Sequence, residues 1–218
     1  MGAWYWEALG LALVGTLEMS LFSILIALPL GLCIGVIKST RFSWIATSFT
    51  EIFCNIPLIV QLFILYFVMP EFIPGLAAID NNVYVFIVGL LGLTLYSSAK
   101  MANHFYAGIK GVGEGQWLAA KSLQLSVAQL YYYISIPIAM RRILPSLCNE
   151  VMSVFKNSAI VSAIGFIELT KESQRLIADA AGAYAVLMIT LFLYVLINSI
   201  VIVFFKFLEK RYKIKGSV

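Results

Sequence analysis

The stretch from Gly115 to Asn149 reads GQWLAAKSLQLSVAQLYYYISIPIAMRRILPSLCN and lies between long apolar stretches of the chain. Its first part is helix-forming with charges at its edges, and it continues through Pro137, Arg141 and Arg142 into the next apolar run. A membrane protein has no packing reason to carry such a segment unless a partner in the water phase binds it. We therefore expect a docking loop here, between two membrane spans.

The composition of the whole chain agrees with a membrane protein. Of its 218 residues 61% are hydrophobic and only 12% are charged, against about 25% charged residues in soluble domains. Because a span needs about 20 apolar residues, roughly five spans fit beside short loops, and a second, soluble domain has no room. We predict an all-α membrane protein whose residues 1–218 form a single transmembrane domain. The five candidate spans are 8–37, 44–68, 83–107, 138–166 and 184–207.

The distribution of basic residues predicts the orientation of these spans. Eleven Lys and Arg residues fall in the segments 38–43, 107–142 and 206–218, whereas the opposite side holds only Lys171 and Arg175. Cytoplasmic loops carry the excess of basic residues, so the N-terminus should lie outside and the C-terminus in the cytoplasm. The same rule explains the net charge of +4, and we expect no nucleic-acid partner.

The fourth candidate span is the most polar. Asn149, Ser153, Lys156 and Asn157 follow the spacing i, i+4, i+7, i+8, which places them on one helical face. A charged group in a span costs roughly 2.5 kcal/mol or more, so this face cannot meet lipid. It should line a substrate path or a subunit interface. The alternative is that these side chains only hold neighbouring helices together.

Polar side chains also recur in the second and third spans. The third carries Lys100 and Asn103 on one face, and the second carries Glu51 one turn before Asn55. Pro57 should kink the second span and free a carbonyl near the midplane, either for a binding site or merely for packing. We predict nine substrate-pathway residues: Glu51, Asn55, Gln61, Lys100, Asn103, Asn149, Ser153, Lys156 and Asn157.

Several kinds of chemistry have no matching motif. There is no GxxxxGK[ST] phosphate loop, no GxSxG and no HExxH. Cys33, Cys54, Cys148 and the single histidine, His104, lack the spacing of metal ligands. We therefore expect no metal, no cofactor bound by this chain and no enzymatic activity of its own.

Four patches of the chain, in order, resemble the permease subunits of ATP-binding-cassette importers for polar amino acids. They are PLIVQ at 57–61, FYAGI at 105–109, the docking pattern at 115–137, and residues 144–170 with Asn149, Glu150, Lys156 and Ser158. The resemblance covers about residues 10–210 and implies a cytoplasmic coupling helix at about 113–130, between the third and fourth spans. It implies these ATPase-coupling residues: Gly115, Trp117, Ala119, Ala120, Leu123, Leu125, Ser126 and Pro137.

The departures from this family's pattern are as informative as the matches. The docking loop of the family normally has an acidic residue and a glycine where this chain has Leu118 and Gln124. The third span often has Glu and Arg where this chain has Asn103 and Tyr106. A subunit with such replacements is easier to tolerate beside a partner that keeps the motifs. This favours a heterodimer of two permeases over a homodimer.

The resemblance further implies the partners and the mechanism. A solute-binding protein would deliver the amino acid at the outer face of a bacterial inner membrane, and an ATPase dimer beneath it would bind ATP and Mg. Transport would follow by alternating access, in contact with membrane lipid. From the residues alone, two alternatives stay open: a transporter or channel subunit driven by an ion gradient, and a membrane scaffold without transport activity.

Overall fold

A computed structural model describes residues 3–179 and 183–212 of the chain. Within these ranges every regular element is helical, which confirms the predicted all-α class. In these described residues, three helices are each long and apolar enough to cross a membrane, and two bent pairs of helices bring the total to as many as five candidate spans. The main helices are α1 (Ala3–Lys38), α2 (Ser43–Asn55), α3 (Leu58–Phe63), α4 (Met69–Phe72), α5 (Asn81–Lys110), α6 (Glu114–Ser122), α7 (Val127–Leu130), α8 (Ile136–Val161), α9 (Leu169–Asp179) and α10 (Ala183–Tyr212).

The helix α5 lies at the centre and packs most extensively against α1 and α8. Two glycines allow the backbones of α1 and α5 to approach each other. A Cβ atom built on Gly31 would lie 2.8 Å from Cβ of Met101, and one on Gly35 would lie 2.7 Å from Cβ of Phe105. Small residues at membrane helix interfaces have this effect in general, and close contact gives van der Waals attraction where no water drives association.

The second predicted span is broken at Pro57. The axes of Ser43–Asn55 and Leu58–Phe72 differ by 100°, so the predicted kink is in fact a sharp turn. Pro57 has no N–H to continue the ladder, and Ile56 has an extended backbone. At this break the side chain of Gln61 takes the place of backbone N–H donors. Its Nε2 donates to the carbonyls of Phe53 (2.9 Å) and Ile56 (2.8 Å).

The predicted single helix over 113–130 is divided in two, which corrects that expectation. After α6, Gln124 adopts a left-handed conformation with φ 55°, which ends the helix. Ser126 then starts α7 with a capping box, in which its hydroxyl accepts from Gln129 N and its own N–H donates to Gln129 Oε1. A π-helical turn, Tyr131–Ser135, joins α7 to α8, so the fourth span starts well before residue 138.

The outer end of the fourth span also turns. A short 3₁₀ turn ends at Gly165, whose φ of 100° suits glycine, and the axes of Val127–Ile164 and Leu169–Ala178 differ by 52°. Glu168 caps α9: its Oε1 accepts from Lys171 N at 2.8 Å, and its Oε2 accepts from the Tyr194 hydroxyl at 2.8 Å. This fully buried carboxylate thereby connects α9 to α10.

Candidate functional site

The polar face of α8 is present as the sequence predicts. Asn149 and Lys156 are exposed, while Ser153 and Asn157 are half-buried and joined by a hydrogen bond of 3.3 Å from Asn157 Nδ2 to Ser153 Oγ. The opposite side of the same helix, with Val151 and Phe155, is buried in the core. A lysine exposed at membrane depth requires water or a second protein beside it. We therefore expect this face to border water or protein rather than lipid.

The predicted residue Asn103 lies in a polar cluster that ties three helices together. The Lys38 ammonium at the end of α1 donates to Asn103 Oδ1 (2.8 Å) and to Thr50 Oγ1 on α2 (2.9 Å). The Asn103 amide points to Cys54 Sγ at 3.7 Å. Sequence reasoning placed Lys38 in a loop and missed this role, because the lysine and Asn103 are 65 positions apart.

Lys100 lies one turn before His104 on α5, and both face Glu150 on α8. His104 Nε2 is 4.0 Å from Glu150 Oε2, and the charges of Lys100 and Glu150 interact. Glu150 is buried, and its Oε1 has no hydrogen-bond partner among the described residues. The ammonium of Lys100 also lies 4.8 Å from the ring centroid of Tyr96. A buried carboxylate between two basic groups was not predicted, since helical spacing describes only one helix at a time.

The predicted residues of the second span separate into two groups. Glu51 and Asn55 are exposed on α2, before the break. Gln61 is buried after the break, where its amide nitrogen serves the freed carbonyls of Phe53 and Ile56. This contact gives Gln61 a structural role, and only its Oε1, which lacks a partner among the described residues, is open to another ligand.

The docking loop presents an apolar surface. Three of its side chains are largely exposed: Leu118 (63%), Leu123 (72%) and Val127 (71%). Leu118 stands where the resemblance leads one to expect an acidic residue. The loop therefore offers a partner hydrophobic contacts at this position.

The predicted coupling residues occupy different parts of this loop. Gly115, Ala119 and Ala120 lie in α6 and Ser126 caps α7, while Leu125 is half-buried between these helices. Pro137 lies in the first turn of α8. All of them thus fall in one continuous segment that leads from α6 into the polar fourth span.

An aromatic contact links this loop to α1. The rings of Trp117 and Tyr131 meet edge to face, with centroids 5.6 Å apart. The Tyr131 hydroxyl donates to the carbonyl of Ser39 at 3.3 Å, just past the end of α1. The side chain of Tyr131 was not among the predicted coupling residues, yet it joins α6 to the membrane helices.

No metal site is indicated by the described residues, since no group of three or more His, Cys, Asp or Glu side chains in them could hold an ion. The three cysteines form no disulfide.

Residues 27–214 match the model of a family described as "Binding-protein-dependent transport system inner membrane component". The chain is 31% identical to the glutamate/aspartate import permease protein GltJ of Escherichia coli K12, over 99% of this chain and 89% of that protein. It is 29% identical to the probable glutamine ABC transporter permease protein GlnM of Bacillus subtilis 168, over 90% of this chain and 89% of the relative.

Solved structures share the fold. The crystal structure of an amino acid ABC transporter with histidines superposes with a TM-score of 0.82 at 30% identity, and 95% of each chain is covered. An inward-facing structure of the MetNI methionine ABC transporter gives a TM-score of 0.79 at 17% identity, over 98% of this chain and all of the other. At 17% identity, the similarity to the methionine transporter shows a shared fold and nothing more.

Proposed function

This chain belongs to the family of inner membrane components of binding-protein-dependent transport systems, and from that premise we propose that it imports a polar amino acid. It is the membrane-spanning subunit of an ATP-driven importer that works by alternating access. The amino-acid substrate is supported by relatives that are named as glutamate/aspartate and glutamine permeases and by the structural likeness to an amino acid transporter.

The single observation that carries this proposal is the polar face of α8. Asn149 and Lys156 are exposed at membrane depth in the isolated chain, while the other side of the helix is packed. Polar groups in a span usually face a cavity or another subunit. A water-filled path between two permease subunits satisfies this requirement along the whole face.

The substrate path would use groups that any amino acid needs. Lys100 and Lys156 suit an α-carboxylate and Glu51 suits an ammonium group, because opposite charges attract strongly where water is scarce. Two lysines against one exposed glutamate favour acidic or neutral polar substrates. Lys100 is half-buried, with its ammonium 4.8 Å from the ring centroid of Tyr96, so the exposed Lys156 is the stronger candidate for carboxylate contact.

ATP hydrolysis would take place on separate subunits, with ATP and Mg bound there. The sequence of this chain has no phosphate loop. The segment 114–137 would dock on one ATPase and transmit its movement to α8 through Pro137 and to α1 through Tyr131 and Ser39. The exposed Leu118 makes that contact apolar where the family usually has a carboxylate.

We infer that the second permease subunit is a different chain and not a copy of this one. Leu118, Gln124, Asn103 and Tyr106 all replace residues that the family usually carries. A partner that retains them would hold the second ATPase in the usual way. The complex would also need an extracytoplasmic solute-binding protein, with the N-terminus of this chain outside and its C-terminus in the cytoplasm of a bacterium.

Purification from the native membrane in a mild detergent tests this assembly. We expect an ATP-binding-cassette ATPase and a second, similar permease to co-purify with this chain. An ATPase with this permease alone would keep the function and contradict the heterodimer. If gentle crosslinking yields no ATPase, the importer proposal fails, and a transporter driven by an ion gradient becomes the better account.

A further inference from the structure

An apolar groove runs along the molecule between α1 and α10. Both helices pack against α8 and α9 but scarcely touch each other, so a V-shaped space opens between them. Its volume is about 550 Å³. Every side chain that lines it is aliphatic or aromatic, including Leu17 and Leu21 of α1, Phe155 of α8, and Leu196 and Ile200 of α10.

The apolar floor of the groove lies away from most of the proposed substrate path, and only its basic end adjoins Asn149. Its floor is formed by Val151 and Phe155, whereas the polar face of α8 carries Asn149 and Ser153. Two positions along a helix correspond to a rotation of about 200°, so the groove floor lies on the side of α8 opposite to Ser153 and Asn157. If the polar face meets the second permease, as the proposed function requires, the groove faces the bilayer.

The groove has the length of a lipid chain rather than of a small ligand. Its wall on α1 extends from Leu13 to Leu28, which is about 22 Å of helix. That is more than half of the roughly 30 Å hydrocarbon thickness of a bilayer. A long, narrow and wholly apolar space at this depth matches one extended acyl chain.

The C-terminal end of the groove is basic. Phe205 lines both the groove and an adjoining cavity that is also lined by Asn149, Lys206 and Glu209. Lys210 is exposed one turn after Lys206, and Arg211 follows it. Two or three basic groups against one glutamate at the membrane surface favour an anionic headgroup.

We propose that this groove binds one acyl chain of an anionic phospholipid whose headgroup lies on Lys206 and Lys210. The apolar wall favours contact with a lipid tail, and the positive charges of Lys206 and Lys210 favour an anionic headgroup. Because α1 and α10 are joined mainly through α8 and α9, the bound chain would fill the space between them. The lipid would thereby fix the distance between the first and the last span.

Spin-labelled lipids test this proposal on the intact transport complex. The complex is reconstituted in phosphatidylcholine vesicles that contain a trace of spin-labelled phosphatidylglycerol or, separately, of spin-labelled phosphatidylcholine. We expect a motionally restricted signal that prefers phosphatidylglycerol. The double variant Lys206→Gln with Lys210→Gln should lower that preference on the order of tenfold, while Lys110→Gln, which removes a basic group at the end of α5, should keep it.

A matched pair of substitutions on α10 tests the groove itself. Leu196 lines the groove and is 44% exposed, whereas Leu191 is 57% exposed and lies outside it. Leu196→Trp should abolish the preference of the restricted signal for phosphatidylglycerol, and Leu191→Trp should preserve that preference. Equal restriction of both lipids, or equal signals in the two variants, would overturn the proposal.

A helix of the second permease could instead occupy the groove, and crosslinking detects that outcome. A cysteine at Ile200, which lines the groove, would then crosslink to the partner subunit, and the lipid proposal would be wrong. ATP-driven uptake is measured separately on the same Leu196→Trp and Leu191→Trp complexes. A failure of lipid binding is thus distinguished from a failure of the proposed transport function.

Discussion

At the scale of single residues, Lys38 does more than mark the end of a span. Its ammonium donates to Asn103 on α5 and Thr50 on α2, and it lies 5.5 Å from the ring centroid of Tyr106. A lysine in a loop would contribute little to stability. Lys38 instead donates hydrogen bonds to side-chain oxygens of Asn103 and Thr50 that would otherwise lose this donor. Lys38, which the sequence analysis used only to predict the orientation of the spans, therefore also holds three helices together.

We expect Lys38→Met to lower the free energy of unfolding by about 1–3 kcal/mol, because the half-buried Asn103 carbonyl oxygen loses its donor. The melting temperature in detergent should fall by several degrees. Lys110→Met is the control, since Lys110 is exposed at the end of α5, with its ammonium 5.6 Å from the ring centroid of Tyr106. Equal melting temperatures in the two variants would rule out the connecting role.

Gln124 is the residue at which the docking loop turns. Its φ of 55° is unfavourable for a side chain with a Cβ atom by roughly 1–2 kcal/mol. Gln124→Gly should therefore slow amide hydrogen exchange across 122–130 in the assembled complex. Gln116→Gly, within α6, should accelerate local exchange because glycine disfavours a helix interior. Faster exchange in both variants would show that the turn carries no strain.

At the scale of helices, the contact between α1 and α5 depends on Gly35. A Cβ atom there would lie 2.7 Å from Cβ of Phe105 and 2.9 Å from the carbonyl oxygen of Ala102. Gly35→Ala should lower the free energy of unfolding by about 1–3 kcal/mol through overpacking. Gly10→Ala on the same helix meets nothing within 4 Å and should be neutral or stabilising. Thermal unfolding of both variants in detergent measures the difference, and similar destabilisation would contradict this packing.

The break in the second span provides a test that separates structure from transport. Gln61→Ala removes the amide that satisfies the carbonyls of Phe53 and Ile56, so stability should fall by about 2 kcal/mol. If that is its only role, the KM for uptake by folded complexes should stay within about twofold of wild type. A raised KM at normal stability would instead place Gln61 in the substrate path.

The helices themselves could largely be predicted from the sequence, while the contacts between them could not. Apolar runs predicted α1, α5 and α10 to within a few residues, and Pro57 predicted the discontinuity of the second span. The division of the docking helix escaped prediction, because Gln124 is an ordinary helix former that is left-handed only in its context. Lys38 with Asn103, and His104 with Glu150, depend on which helices meet, and periodicity within one helix carries no such information.

At the scale of the whole molecule, α8 links the two surfaces to which we assign functions. The docking segment begins at α6 and reaches α8 through the π-helical turn Tyr131–Ser135, and α8 carries the polar face through the membrane. The opposite side of α8 is packed in the core and borders the apolar groove. One helix thus connects the surface proposed to meet the ATPase with the surface proposed to meet the substrate.

The proposed path is tested most directly by the access of water to α8 in the assembled complex. Single cysteines are placed at Asn149, Ser153 and Asn157, with Val151→Cys as the control, in a chain whose native cysteines are replaced by serine. A membrane-impermeant thiol reagent should label the three polar positions, at rates that change when ATP is bound, and should leave position 151 unlabelled. If the polar positions stay as unreactive as position 151 in every nucleotide state, the face is dry, and the path proposed here does not run along α8.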